Sequence, residues 1–546
     1  MKQKEKIVSK IELVASVMLC SLIVLGFILK LQSVLSMDLS REYREMTAVE
    51  FARLIAGGVN PYGLEMLDRQ VLLPTNIYGL LAPYLMSISV KLFHYGLGIL
   101  SVLQSCQLMT VIVELIGCVF FYLAVRERTG RHIYAAIGTY FYYGCFWRYS
   151  AFSGAFADSF GLALLPVLFF FVYRDQKREK PRLFVYAVLL IFLFYAKQYF
   201  ILVSVGLFFF VWSAYSLKKA MLLAFESLGV MLGSIVVIQL ACPLYFTESL
   251  AIAQSQNGGG DYLYSISQLP FLLIRTYGIF TCLVGLALIM FIFWKKSGIK
   301  EYFSDLLKVE NKHLTVSYEL CELIFTFPMA VYIAQEKGAL YSYYLQIFVP
   351  FFILTGIVAA NSIYSCVKNR VTNTVVVRGL LICSIGLCLL FTYGYRSFIF
   401  VKSQTEEEIA VWEEVNAIIE QYDEAGEVFL APVPARYYVE HDIPFWDYGQ
   451  GEYNTPEFYE NYRNNSFMKT VFPYADVIFQ KYMANDADFY DKLSEGYYHC
   501  VIVDDFREFQ ADFAKGKFPA YSLYGDRVLK VGNEEIAIHI YLKNGS

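Results

Sequence analysis

Three short stretches place charged side chains against apolar surroundings where they could do chemistry at a membrane surface. In REYREMTAVEFARL, a helix would hold Glu42 and Glu45 one turn apart beside a long apolar run. Carboxylates there are potential proton acceptors, although a solvated helix face explains them as well. In RYSAFSGAFADSFGLALLP, Asp158 stands where the next apolar segment begins. An ionisable group at such a boundary is a functional candidate because leaving it in lipid is costly; the plainer role is a helix N-cap by Asp158 or Ser159. In FYAKQYF, Lys197 and Gln198 interrupt an apolar region that otherwise runs from about Leu183 to Trp212. A cation at that depth could bind an anion such as a lipid phosphate, or could snorkel to headgroups. Arg148 and Arg275, each at the end of an apolar segment, are weaker candidates for the same phosphate, with interfacial anchoring as the alternative.

The elements that must position these groups are membrane spans. With 57% hydrophobic and 17% charged residues over 546 positions, and a mean hydropathy of +0.46, the chain is too apolar to fold as one water-soluble unit. The basic opening MKQKEKIVSK precedes an apolar run from Ile11 to Val34. That run is too long for a signal-peptide core and has no small-residue cleavage site, so it reads as an uncleaved first span. Apolar segments near spanning length follow at 99–124, 132–147, 159–173, 183–196, 199–216, 220–241, 270–293, 317–334, 343–365 and 379–399, about eleven spans in all. Alternate loops are basic, as in RERTGR at 126–131, RDQKREKPR at 174–182 and KKSGIK at 295–300. The positive-inside rule puts these loops and the N-terminus in the cytoplasm, provided that the apolar stretch 76–93 lies as a juxtamembrane or re-entrant helix. Everything after Phe400 is then extracytoplasmic. From Gln404 the composition turns polar, and GEVFLAPV, YHCVIVDDF and EIAIHIYL read as strands alongside the helical EEIAVWEEVNAIIEQY. The expected fold class is a polytopic α-helical membrane protein: a transmembrane domain over 1–400, with a helical first outer loop at about 37–98, and an α/β soluble domain over 401–546.

The first outer loop carries a resemblance. Glu45, then Ala52-Arg53, Gly58, Pro61-Tyr62 and a Pro-containing helix resemble in order and spacing the first periplasmic loop of the GT-C glycosyltransferases. The polyprenyl-phosphate-dependent mannosyl and aminoarabinose transferase type is the nearest pattern. In that family an acid about seven residues before the Ala-Arg is the catalytic base, which implies Glu45. Where many members have two adjacent acids, this chain has Arg44-Glu45. The family often has an acid in the second outer loop that assists catalysis or metal binding, which implies Asp158, and a Lys-Gln pair, which implies Lys197 and Gln198 as lipid-phosphate ligands. KGALYSYYLQIFVPFFIL is similar to a late family segment and implies that Tyr343 and Tyr344 line the substrate site with Glu42; an aromatic belt is their plainer role.

The resemblance implies an inverting hexosyl or pentosyl transfer from a polyprenyl-phosphate-linked sugar to an envelope glycan, lipid or protein, in a plasma membrane. A divalent cation, Mg or Mn, is the one cofactor it suggests; no metal-ligand spacing appears in the sequence itself. A transporter, flippase, lipid-linked glycan polymerase or non-catalytic scaffold are the alternatives. The net charge of −4 and the lack of a basic stripe set nucleic acid aside. Cys500 is the one thiol after residue 400, so that region holds no internal disulfide. Glu114, Glu226, Glu319 and Glu322 lie in or near spans and are expected to face the bundle interior.

Overall fold

The structure is a computed structural model that describes residues 2–36, 43–68, 76, 78–149, 157–252, 307–310, 313–336, 346–348, 350–358, 361, 406–422, 428–430, 464–504, 508–531 and 534–545. Among the described residues, four helices contain a stretch long and apolar enough to cross a bilayer: Glu12–Leu35, Val102–Thr129, Ala157–Arg178 and Leu217–Ala241. The chain is a multi-pass membrane protein.

Helix α1 (Lys2–Ser36) packs with α4 (Val102–Thr129), α5 (His132–Tyr149) and α6 (Ala157–Arg178), and α4 runs antiparallel to α5 and parallel to α6. The start of α4 is written in its sequence. Ser101 Oγ accepts from Gln104 N at 3.0 Å, and the Gln104 side chain accepts from Ser101 N at 3.1 Å. Gln104 also donates to Leu35 O at 3.2 Å, tying the ends of α1 and α4 together. Gly130, at φ +71°, closes α4 in the left-handed conformation. Gly117 lets α4 and α6 touch, since a Cβ there would lie 2.8 Å from Ala163 Cα.

Three buried carboxyl groups inside this bundle have polar partners. Lys30 and Glu114, both fully buried, pair at 2.5 Å, and Ser159 Oγ donates to the other Glu114 oxygen at 3.0 Å. Glu319, also fully buried, receives Arg128 at 2.9 Å and the Tyr173 hydroxyl at 3.0 Å. Glu322 accepts from Thr326 Oγ1 at 2.7 Å. These three Glu face the interior as expected, whereas Glu226 is only half-buried on the helix Leu217–Ala241.

The apolar region interrupted by Lys197 differs from two full spans. Helix α7 (Leu183–Ala196) stops before Lys197, a 3₁₀ turn covers Gln198–Leu202, and α8 (Val203–Ala214) resumes. At about 1.5 Å per residue, the 14 residues of α7 are too short to cross the hydrocarbon alone. Lys197 itself is extended, at φ −162° and ψ 131°. Helix α9 (Leu217–Ala241) packs on α7 and α8 and turns Phe225, Leu232, Val236 and Leu240 outward, as a lipid-facing helix does. The expected span at 270–293 and the one at 379–399 lie outside the described residues.

Between α1 and α4, the stretch after residue 42 builds α2 (Tyr43–Ala56) and α3 (Leu81–Ser89), the latter running into a π turn at Val90–Gly96. Beyond α9, β1 (Leu307–Glu310) and β2 (His313–Val316) form an antiparallel hairpin.

Toward the C-terminus, the helix Glu406–Tyr422 and strands β3 (Val428–Leu430), β4 (Cys500–Asp504) and β6 (Glu534–Lys543) fall on the helix- and strand-like runs read from the sequence. Strand β5 (Tyr521–Val531) was not foreseen. The sheet order is β3-β4-β6-β5, with β3 and β4 parallel and the other pairs antiparallel. One face, with Cys500, Ile502, Ile538 and Ile540, packs on Val415, Ile418 and Ile419 in a cluster that continues into α2 and α3. Phe472, Ala475 and Ile478 join a second cluster with Phe51, Tyr62, Tyr245 and Phe246. Burial pushes the Cys500 thiol up to about 12, consistent with a structural side chain.

Candidate active site at the α2–α3 end of the bundle

Helix α2 is buried on every side that would have faced water. Glu45 is fully buried, and so, nearly, are Thr47, Val49, Glu50 and Ala52. The solvated-face reading of Glu45 is therefore overturned. Gln107 Nε2 of α4 donates to Glu45 Oε1 at 3.0 Å. Arg53 forks onto Glu50 with two 2.7 Å hydrogen bonds, so the Arg of the Ala-Arg pair grips a carboxylate of its own helix one turn away. Gly58, at φ +85°, ends the helix where the sequence indicated. The following loop is pinned to the end of α9 by Asn60 Nδ2 donating to Ala241 O at 2.7 Å and Leu244 N donating to Tyr62 O at 3.0 Å.

Asp158 and Lys197, read as separate candidates, are partners. Lys197 Nζ lies 2.6 Å from Asp158 Oδ2, and the Tyr199 hydroxyl donates to Asp158 Oδ1 at 2.5 Å. Asp158 thus sits in the first turn of α6 with its carboxylate turned to a cation rather than used as an N-cap. Lys197 is 7% exposed, so it does not snorkel to headgroups. Its ammonium lies 4.5 Å from the Tyr78 ring centroid and 5.3 Å from that of Tyr199. Gln198 Nε2 donates to Ser249 O at 3.2 Å.

One face of α4 links the two groups. Gln107, on Glu45, and Glu114, on Ser159, are seven residues apart and so lie two turns apart on the same face. Glu45 and the Asp158–Ser159 corner of α6 border that face together. Tyr78 reaches Lys197 because Gly79 presses the loop onto the end of α7: a Cβ on Gly79 would lie 2.0 Å from Tyr195 O and 2.5 Å from Ala196 O. Gly79→Ala is expected to destabilise the protein by about 1–3 kcal/mol, the ordinary cost of overpacking, and thermal unfolding in detergent measures it.

Asn76, Tyr78, Gln107, Tyr199 and Glu248 were not singled out from the sequence. Tyr199 was visible inside FYAKQYF, two residues from the Lys, while nothing local marked the others. Glu248, 2% exposed in the π turn Thr247–Ile252, accepts from Asn76 N at 3.4 Å, and burial holds its carboxyl well above the usual carboxylate range. Glu42, Arg275, Tyr343 and Tyr344 lie outside the described residues, as does the side chain of Arg148. Among the described residues no three His, Cys, Asp or Glu side chains converge as a metal site. The Asp158 carboxylate is engaged by a cation and a phenol, so this corner does not fit Mg²⁺ or Mn²⁺.

A helical bundle of long apolar segments with a buried carboxylate–lysine site between its loop helices and its spans defines a class of multi-pass membrane proteins with an internal polar site at one end. In overall fold the chain is similar to the crystal structure of ArnT from Cupriavidus metallidurans bound to undecaprenyl phosphate. The TM-score is 0.52 over 94% of this chain and 97% of that one, at 12% sequence identity. At the level of fold this bears out the GT-C resemblance seen in the first outer loop. No protein-family model and no curated protein matches the sequence.

Proposed function

We propose that this protein is an inverting glycosyltransferase that moves a sugar from a polyprenyl-phosphate carrier to a cell-envelope glycan, lipid or protein at the outer face of a plasma membrane. The observation that carries this reading is the pairing of a buried carboxylate, Glu45, with a buried lysine site, Asp158–Lys197–Tyr199, on a fold shared with a protein crystallised with undecaprenyl phosphate. The acceptor oxygen attacks the anomeric carbon, the bond from that carbon to the lipid phosphate oxygen breaks, and the acceptor proton passes to Glu45. Lys197 meets the charge that develops on the leaving phosphate, with Gln198 as a neutral donor. Asp158 holds the ammonium in place and exchanges part of its hold for the phosphate when the donor arrives. In this reading the N-terminus is cytoplasmic, and residues 401–546 form an extracytoplasmic α/β domain that shapes acceptor access.

Transfer of radiolabelled sugar from purified polyprenyl-phosphate donors to membrane extracts tests the reading. Lys197→Ala is expected to weaken donor binding and to slow transfer by about tenfold or more, since it removes a charge-assisted contact worth about 1.5–3 kcal/mol. Full transfer by Lys197→Ala would remove the phosphate-binding role.

A further inference from the structure

Glu248 takes no part in the proposed reaction, yet it is buried at the edge of the site. Among the described residues it accepts from the Asn76 backbone N–H, and the titratable groups that face it are Tyr62 and Cys242, both neutral near pH 7. Burying a carboxylate is costly, and burial accordingly pushes this group well above the usual carboxylate range, which favours its protonated form. What it holds is specific. The Asn76 side chain accepts from Tyr78 N at 3.1 Å and donates to the Tyr62 hydroxyl at 3.0 Å, forming a tight turn. That turn carries Tyr78, whose ring lies against the Lys197 ammonium. The next residue of the same π turn, Ser249, receives Gln198. Consecutive residues of one short segment therefore brace both sides of Lys197: Glu248 through Asn76 and Tyr78, Ser249 through Gln198.

We propose that Glu248 is a positioning residue for the Lys197 site, its buried carboxyl fixing the Asn76–Tyr78 turn that lays Tyr78 on the lysine and so setting the affinity for a lipid phosphate. The inference rests on the reading of Lys197 as a phosphate ligand. It makes affinity depend on pH. A group whose pKa is raised in the folded protein orders its surroundings fully in acid, and that ordering is lost as pH rises through the raised value. Burial pushes the facing Tyr62 and Cys242 upward as well.

Binding of undecaprenyl phosphate to the full-length protein in nanodiscs, measured between pH 6 and 10, decides the matter. Wild type is expected to lose affinity toward alkaline pH. Glu248→Gln, an uncharged isostere, is expected to bind like wild type at neutral pH and to lose less affinity in alkali. Glu248→Ala is expected to bind about tenfold more weakly, the size of one lost supporting hydrogen bond. The proposal is overturned if Glu248→Ala binds as wild type does while Lys197→Ala does not. It is overturned equally if Glu248→Gln is as weak as Glu248→Ala or keeps the full alkaline loss. Because the Gln variant keeps the shape of the turn, its pH profile decides the point even where the Ala variant fails to fold. Unchanged binding by Lys197→Ala instead overturns the phosphate reading beneath the proposal.

Discussion

Replacing Glu45 by Gln is expected to slow transfer from a polyprenyl-phosphate sugar by about 10²- to 10⁴-fold, the range that a positioned general base contributes, while binding of the donor lipid changes little. Gln keeps the size of the side chain and can still hydrogen-bond Gln107 by turning its amide, so the 3.0 Å contact that fixes the group in the wild type does not have to be lost. What Gln lacks is a carboxylate to take the acceptor proton. Single-turnover transfer with a radiolabelled donor, alongside direct donor binding, separates the chemical step from affinity. Transfer at the wild-type rate would remove Glu45 as the base. Slow transfer with equally poor donor binding would make Glu45 a binding residue instead.

The second large effect belongs to the Lys30–Glu114 pair. Both side chains are fully buried, and Ser159, which donates to Glu114, adjoins Asp158 in the chain. Lys30→Met or Glu114→Gln alone leaves one buried group without its partner, and each is expected to destabilise the folded protein by about 3–5 kcal/mol. The double variant removes both charges and is expected to recover most of that loss. A double-mutant cycle by thermal unfolding in detergent measures the coupling; strict additivity of the two losses would show that the pair is not coupled. Because α1, α4 and α6 meet at this pair, either single variant should also disturb the Asp158 corner, and the double variant should restore transfer along with stability.

Much of the scaffold was legible because its causes are local. The lengths of apolar segments decide which helices can cross a bilayer, since a helix satisfies its own backbone and its side chains meet lipid. Gly58 marks a helix end by chemistry confined to a few residues, and the Ser101–Gln104 cap and Gly130 do the same for α4, although they were not singled out from the sequence. Lys197 announces the break between α7 and α8: the segment 183–196 read from the sequence coincides with α7, while 199–216 ran the 3₁₀ turn and α8 together. The alternation in YHCVIVDDF and EIAIHIYL predicts β4 and β6 because one face of each strand packs on an apolar layer. Strand β5 escaped because Gly525, Asp526, Arg527 and Lys530 dilute that alternation, and its pairing with β6 is what makes it a strand.

The site was legible only as a set of residue types. Glu45, Asp158 and Lys197 stood out by being charged beside apolar runs, but a charge in a sequence does not say what it faces. Asp158 and Lys197 are 39 residues apart, Glu45 and Gln107 are 62 apart, Lys30 and Glu114 are 84 apart, and Asn76 and Glu248 are 172 apart. Each pairing depends on helices packing side by side, which no local propensity encodes. By itself the sequence determined a multi-pass helical chain and the few positions where charge must be accommodated. The tertiary structure alone decided which charges neutralise one another, which carboxyl is buried against a backbone donor and raised by that burial, and which loop lies over the lysine, because burial and long-range contact set the free energy of each group.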